Sequence, residues 1–170
     1  MSDIWLRTQP TADGKTYVAT LEASDDVSIT LTPETALRYA RTVLEAVGQA
    51  EYDAAVLKQL HKTLELPLET AGEMLKSLRE DRPPLNNDEF PLTFTPGVSL
   101  FDGHPFLLVN LSGKTIGQWE MPAAKEHALA VLEVSVGVDL DAAYYRKLIS
   151  LYEIDPDRAR AVVADIGAHR

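Results

Sequence analysis

Cysteine is absent from the 170-residue chain, which excludes disulfides, thiolate metal sites and a cysteine nucleophile. No window approaches the ~20 consecutive apolar residues of a membrane span, and the opening "MSDIWLRTQP" has no long apolar run after a basic segment. The expectation is therefore a soluble, cytoplasmic protein. Cations are in the minority: 26 acidic against 16 basic side chains give a net charge of −10. Each half of the chain carries −5 (residues 1–85 have 14 acids and 9 bases, residues 86–170 have 12 and 7), so the acidity is global rather than confined to a tail. Such a field repels phosphate backbones and anionic membranes, and it favours basic partners or simple solubility.

Several catalytic signatures are missing as well. No GxSxG, HExxH or dinucleotide-type glycine pattern occurs, and no cofactor is implied. "GKT" occurs twice, at Gly14–Thr16 and Gly113–Thr115. A phosphate loop requires a further glycine five residues before the GK glycine, where Gln9 and Leu108 stand, and a helix following, where strands are predicted. The paired carboxylates of "DLDAAYYRKLIS" and "DPDRAR" lack the Gly and Glu of a calcium loop, since Tyr144 and Ser150 occupy those places. They read as helix caps, and no metal site is expected. The histidines, His61, His104, His127 and His169, are scattered. His104 alone stands beside a carboxylate, Asp102, in a loop sequence, "FDGHPF", that suits metal binding or proton transfer.

What the chain does contain is repetition. "VLEAVGQAEYDAAVL" at 43–57 is echoed by "VLEVSVGVDLDAAYY" at 131–145. Displaced by 88 positions, residues 36–60 and 124–148 share nine identities in 25 without a gap, including Val43 with Val131, Asp53 with Asp141 and Leu60 with Leu148. A period this long marks a duplicated domain-sized unit rather than a solenoid repeat, whose periods run about 20–50 residues.

Each copy is predicted to open with a strand pair. "TYVATLEASDDVSITLTP" alternates at Val27, Ile29 and Leu31, and "HPFLLVNLSGKTIGQWEMP" gives two strands across a Ser112-Gly113 turn. The first strands align at 89, "DGKTYV" over "DGHPFL". Thr32 and Pro33 then start a helix whose apolar stripe is Ala36, Ala40, Val43, Leu44 and Val47. In the second copy the β-branched "VSVGV" predicts a break, with Asp139 capping a new helix from Leu140. A short helix closes each copy, the second capped by Asp155.

The expected fold class is α+β: a duplicated β-β-α-α-α unit whose hairpins pair into one four-stranded antiparallel sheet about a pseudo-twofold, with helices on one face. The copies span 1–82 and 99–170, joined by a proline-rich connector at 83–98, and are expected to form one compact body.

Where the copies differ, the second hairpin carries Leu107, Val109, Leu111, Ile116 and Gln118 against Val18, Thr20, Glu22, Ser28 and Thr30. A solvated face stays polar, so this face is expected to be covered by "IWL" of the N-terminus, by the connector, or by another chain. The candidate binding residues are Leu107, Val109, Ile116 and Trp119, with Asp102 and His104 for an enzyme reading; a core role is weighed for Trp119, which stands in the place of Leu31.

"LKQLHKTLELPLETAGEMLKSLRE" and "LISLYEIDPDRARAVVADI" resemble the helix-turn-helix of bacterial regulators, which implies a DNA-binding alternative. Glu69, Glu73, Glu80 and Asp81 on the would-be recognition helix argue against it. The leading expectation is a non-enzymatic, acidic protein-protein interaction or regulatory protein, such as an inhibitor or nucleic-acid mimic. Its partner would be another protein or a second copy, with nucleic acid and membrane disfavoured.

Overall fold

The computed structural model describes residues 5–11, 17–24, 27–82, 85 and 89–168. The first GKT (Gly14–Thr16), the Asp25-Asp26 turn, Ile4 of the N-terminal apolar segment, Pro83, Pro84 and His169 lie outside the described residues.

The chain is α+β. The strands β1 (Trp5–Pro10), β2 (Tyr17–Ser24) and β3 (Val27–Leu31) precede the helices α1 (Pro33–Thr63) and α2 (Leu68–Glu80). The strands β4 (Leu92–Val98), β5 (Pro105–Leu111) and β6 (Lys114–Glu120) precede α3 (Met121–Ser150) and α4 (Pro156–Ala168). Two three-stranded antiparallel sheets, in the orders β1-β2-β3 and β4-β5-β6, stand where one four-stranded sheet was expected. The reason is an extra strand before each hairpin. β4 occupies much of the expected connector and pairs along β5, so the hairpin edge that would have sought its counterpart is already filled. Pro96 is tolerated because β4 is an edge strand, whose outward amide positions need no partner.

The ladders fix a common register. Ala19 pairs with Leu31 and Leu107 with Trp119; Leu6 pairs with Leu21 and Phe94 with Val109. Every one of these pairs is related to its counterpart by 88 residues, the offset that relates the helices, so the alignment of the first strands at 89 is off by one. A one-residue slip exchanges the two faces of a strand. Leu107 and Val109 therefore correspond to the core residues Ala19 and Leu21, not to Val18 and Thr20.

The chain packs into two compact units: residues 1–40 with 129–170, and residues 41–128. Repetition divides the chain along its sequence, whereas packing interleaves it. In the first unit β1–β3 share a body with most of α3 and with α4, and Tyr17 of β2 meets Tyr145 of α3 edge-to-face at 6.1 Å. In the second, β4–β6 share a body with most of α1 and with α2; Leu57, Ala71 and Leu75 cluster there with Val98 at the end of β4.

Local chemistry explains the helix ends. The Thr35 amide donates to Thr32 Oγ1 at 3.2 Å, and the Asp157 and Arg158 amides donate to Asp155 Oδ1. The expected break in the second copy does not occur, and Asp139 caps nothing: α3 runs unbroken through "VSVGV". Val131, Ser135 and Val138 are buried on one face at helical spacing, and that packing outweighs the weak propensity of β-branched residues. α1 is likewise one helix through Gly48.

The helix pairs turn at Glu65 and Glu153, both left-handed at φ 54° and 50°. In the second turn the Ile154 amide donates to the Leu148 carbonyl, closing the helix end around that residue. A left-handed non-glycine residue costs about 1 kcal/mol or more. Glu65→Gly and Glu153→Gly should each raise the unfolding free energy measured in urea, by up to about 1 kcal/mol; a loss of stability in both would contradict this account of the turns.

Candidate functional site

All six candidate residues lie in the second unit. Leu107 and Val109 are 0% and 1% exposed, so their cover comes from the chain itself. They belong to the core face of β5, next to Leu92 and Phe94 of β4, which are also buried. Ile116, half-buried, sits on β6 where β3 has the exposed Ser28. Trp119, half-buried, packs at 5.7 Å from the Phe94 ring and 4.8 Å from the His127 ring.

Asp102 and His104 form an exposed turn between β4 and β5. The His104 amide donates to Asp102 Oδ1 at 3.1 Å, Gly103 takes the positive φ of 73° that the turn requires, and its amide donates to the Ser99 carbonyl. The Ser99 hydroxyl and the His104 amide hold the Asp102 carboxyl below the ordinary carboxylate range. These contacts assign the carboxylate a role in building the turn. At its apex Phe101 is 93% exposed, beside Leu100 at 50%. Leu100 lies against Gly72 of α2, where an added Cβ would fall 2.7 Å from Leu100 Cδ2. The tip is thus seated on a helix while its aromatic ring faces outward.

The second GKT is a hairpin turn. Ser112 and Gly113 have φ of 49° and 81°, and Lys114 already pairs with Leu111, which is the geometry of a tight two-residue connection rather than a phosphate cradle.

The sequence reads Asp141 as a helix cap and Asp53 only as an identity at the 88-residue offset; in the structure both lie mid-helix and are buried. Asp53, in the middle of α1, has no exposed side chain. Arg79 Nε of α2 donates to Oδ2 at 2.7 Å and Arg82 Nη2 donates to Oδ1. The Arg82 guanidinium also lies 5.7 Å over the Tyr52 ring. At the equivalent position Asp141 is 1% exposed in the first unit. There the burial of Tyr17, together with the charge of Asp141, raises the phenol's pKa, while Arg160 opposes the shift. Identity at the 88-residue offset was the signal for these carboxylates, but only burial distinguishes a charge that must be compensated from a residue that merely packs.

His127, near the start of α3, was also passed over. Burial lowers its pKa to about 4. Among the described residues, no group of three or more His, Asp or Glu side chains is placed to hold a metal ion. Also among them, no helix is long and apolar enough to cross a membrane. No protein-family model, no curated protein and no solved structure matches the chain.

Two outcomes follow from these buried groups. Arg79→Met with Arg82→Met leaves a carboxylate buried without its cations, and the double variant should lose about 3–5 kcal/mol in urea unfolding; Asp53→Asn should lose less, and equal stability of all forms would remove the ion cluster from the fold's energetics. His127 is neutral in the folded chain below the pH at which it protonates in the unfolded one. Stability should therefore fall as pH drops from about 6.5 to about 4, by on the order of 3 kcal/mol from this residue, and its contribution should level off below that. Comparing the chain with His127→Gln across that range isolates the effect; parallel pH profiles would rule it out.

Proposed function

We propose that the chain is a non-enzymatic, cytoplasmic, acidic protein-protein interaction or regulatory protein, built by duplication of a β-β-β-α-α unit. The observation that carries the reading is Phe101, 93% exposed on a turn ordered by Ser99, Asp102 and Gly103. A large aromatic ring left in water is costly, whereas one presented on a pre-ordered tip enters a partner's pocket with little loss of conformational freedom. Asp102 remains ionised beside it, and the −10 net charge favours a partner whose pocket has a basic rim.

The reading moves the contact away from the strand face of Leu107 and Val109, which the chain covers itself, to the neighbouring tip. Inhibition, or occupation of a nucleic-acid groove by mimicry, is a form of the same activity. Support for direct DNA binding is weaker, because Arg79, one of the cations of α2, is engaged by Asp53 and Glu69, Glu73 and Glu80 share that helix.

A photo-crosslinking amino acid placed at position 101, in cells that produce the protein naturally, should form an adduct with a second protein. The same probe at exposed Leu64 should not. Phe101→Ala should abolish recovery of that partner while leaving the melting temperature unchanged. No position-specific adduct, or an adduct with nucleic acid instead, would refute the proposal.

A further inference from the structure

α3 is apolar on two opposite faces. Val131, Ser135, Val138 and Tyr145 are buried within the first unit. On the other side Leu129, Val136, Leu140 and Tyr144 of the helix, and Leu151 one residue past its end, are 56%, 60%, 44%, 47% and 61% exposed. A helix at a protein surface normally turns a polar face to water, and α1 is more polar at the equivalent positions. There stand Arg41, Glu45, Gly48, Tyr52, Val56 and Thr63, with Arg41 Nε paired to Glu45 Oε1 at 2.8 Å. At three of the five positions, Leu129, Val136 and Leu151, the apolar residue belongs to the second copy alone.

The stripe has an order that points to its occupant. With the exposed charges Glu133 and Lys147 it runs 129, 133, 136, 140, 144, 147, 151, in steps of 4-3-4-4-3-4. The pattern reads the same in both directions about Leu140. It also repeats every 11 residues, a period close enough to the helix's own to keep the stripe on one nearly straight face for roughly 33 Å. We infer that this face pairs α3 with α3 of a second copy, antiparallel, about a twofold axis passing through Leu140.

In that register Leu129 faces Leu151 of the second copy, Val136 faces Tyr144, Leu140 faces itself, and Glu133 faces Lys147. Two identical contacts are made by each off-axis pair, as a twofold interface requires. Both charges meet the opposite sign at each end, so the net negative chains are joined by a locally neutral seam. Among the described residues neither Glu133 nor Lys147 has an ion-pair partner within the chain. A parallel pairing would place Glu133 against Glu133 and is disfavoured by charge. The contact uses one helix from each chain, which sets it toward the small end of stable interfaces and makes the dimer concentration-dependent. It shares no residue with the tip at Phe101 and does not depend on the function proposed above.

Sedimentation of the full chain over roughly three decades of concentration around the micromolar range should show the mass rising from 18.7 kDa toward twice that value. Leu140→Glu puts two carboxylates on the axis and should leave a monomer throughout, with unchanged circular dichroism because the side chain is exposed. Glu133→Lys or Lys147→Glu alone creates like-charge pairs at both ends and should weaken the dimer about fivefold or more. The double exchange restores opposite charges and should recover it. A chain that stays monomeric, a dimer indifferent to Leu140→Glu, or a double exchange no better than the singles would each overturn the inference.

Discussion

A three-stranded sheet cannot bury its own apolar face, and every other feature of this chain depends on how that face is covered. The middle strands β2 and β5 have their backbone groups paired on both sides, which leaves Ala19 and Leu21 in one sheet and Leu107 and Val109 in the other in need of apolar contact. In both units the covering helices include segments from the other half of the sequence. The long uninterrupted helices follow from that arrangement. α1 contributes its first turns to the unit of β1–β3 and the remainder to the unit of β4–β6, and α3 does the reverse.

Within this frame each unit buries one carboxylate of the repeated Asp-Ala-Ala. The two have been accommodated differently. Asp53 is held by Arg79 and Arg82, which ties α1 to the end of α2. Asp141 acts on Tyr17 and stands in a cluster that includes Tyr145 and Arg160. Residues 88 positions from Tyr17 and Tyr145 are Pro105 and Leu57, so a hydroxyl-bearing pair in one unit is replaced by an apolar pair in the other. A buried ion cluster contributes little net stability beyond an apolar equivalent, but its removal by halves is costly. That asymmetry explains how the carboxylate persists in both units while its surroundings diverge.

The helices were legible because their periodicity and the ungapped match at 88 residues agreed. The strands were less so. "LTFTPGV" alternates as a strand does, at Leu92 and Phe94, but its proline, Pro96, belongs to an edge strand and in the sequence alone marks a connector. The misplaced alignment at 89 made core residues look like a surface anomaly, because period-2 structure turns an error of one into an exchange of faces. The continuity of α3 depended on burial of Val131 and Val138, a tertiary effect that local propensity does not contain. For the candidate site, Asp102 and His104 do lie on one turn as their spacing suggested. Phe101, between them and the helix-seated Leu100, carried no signal beyond its residue type, since exposure is set by the seat that Gly72 provides.

Divergence between equivalent positions has a direction in this protein. In the sheets it is compensatory: Ala19 with Leu31 becomes Leu107 with Trp119, while Leu21 with Ile29 becomes Val109 with Gly117, so bulk gained at one pair is given up at the next. On the outer face of the long helices the exchange is confined to the centre, where Tyr52 corresponds to the less exposed Leu140. Arg41, Gly48 and Thr63 become Leu129, Val136 and Leu151, and every step adds apolar surface to water, at roughly 25 cal/mol for each Å² left exposed. Packing inside a unit does not account for a change on its outside. A cost concentrated on one face of α3, at positions where α1 carries Arg41, Gly48 and Thr63, is the pattern left when the surface is covered in the working state.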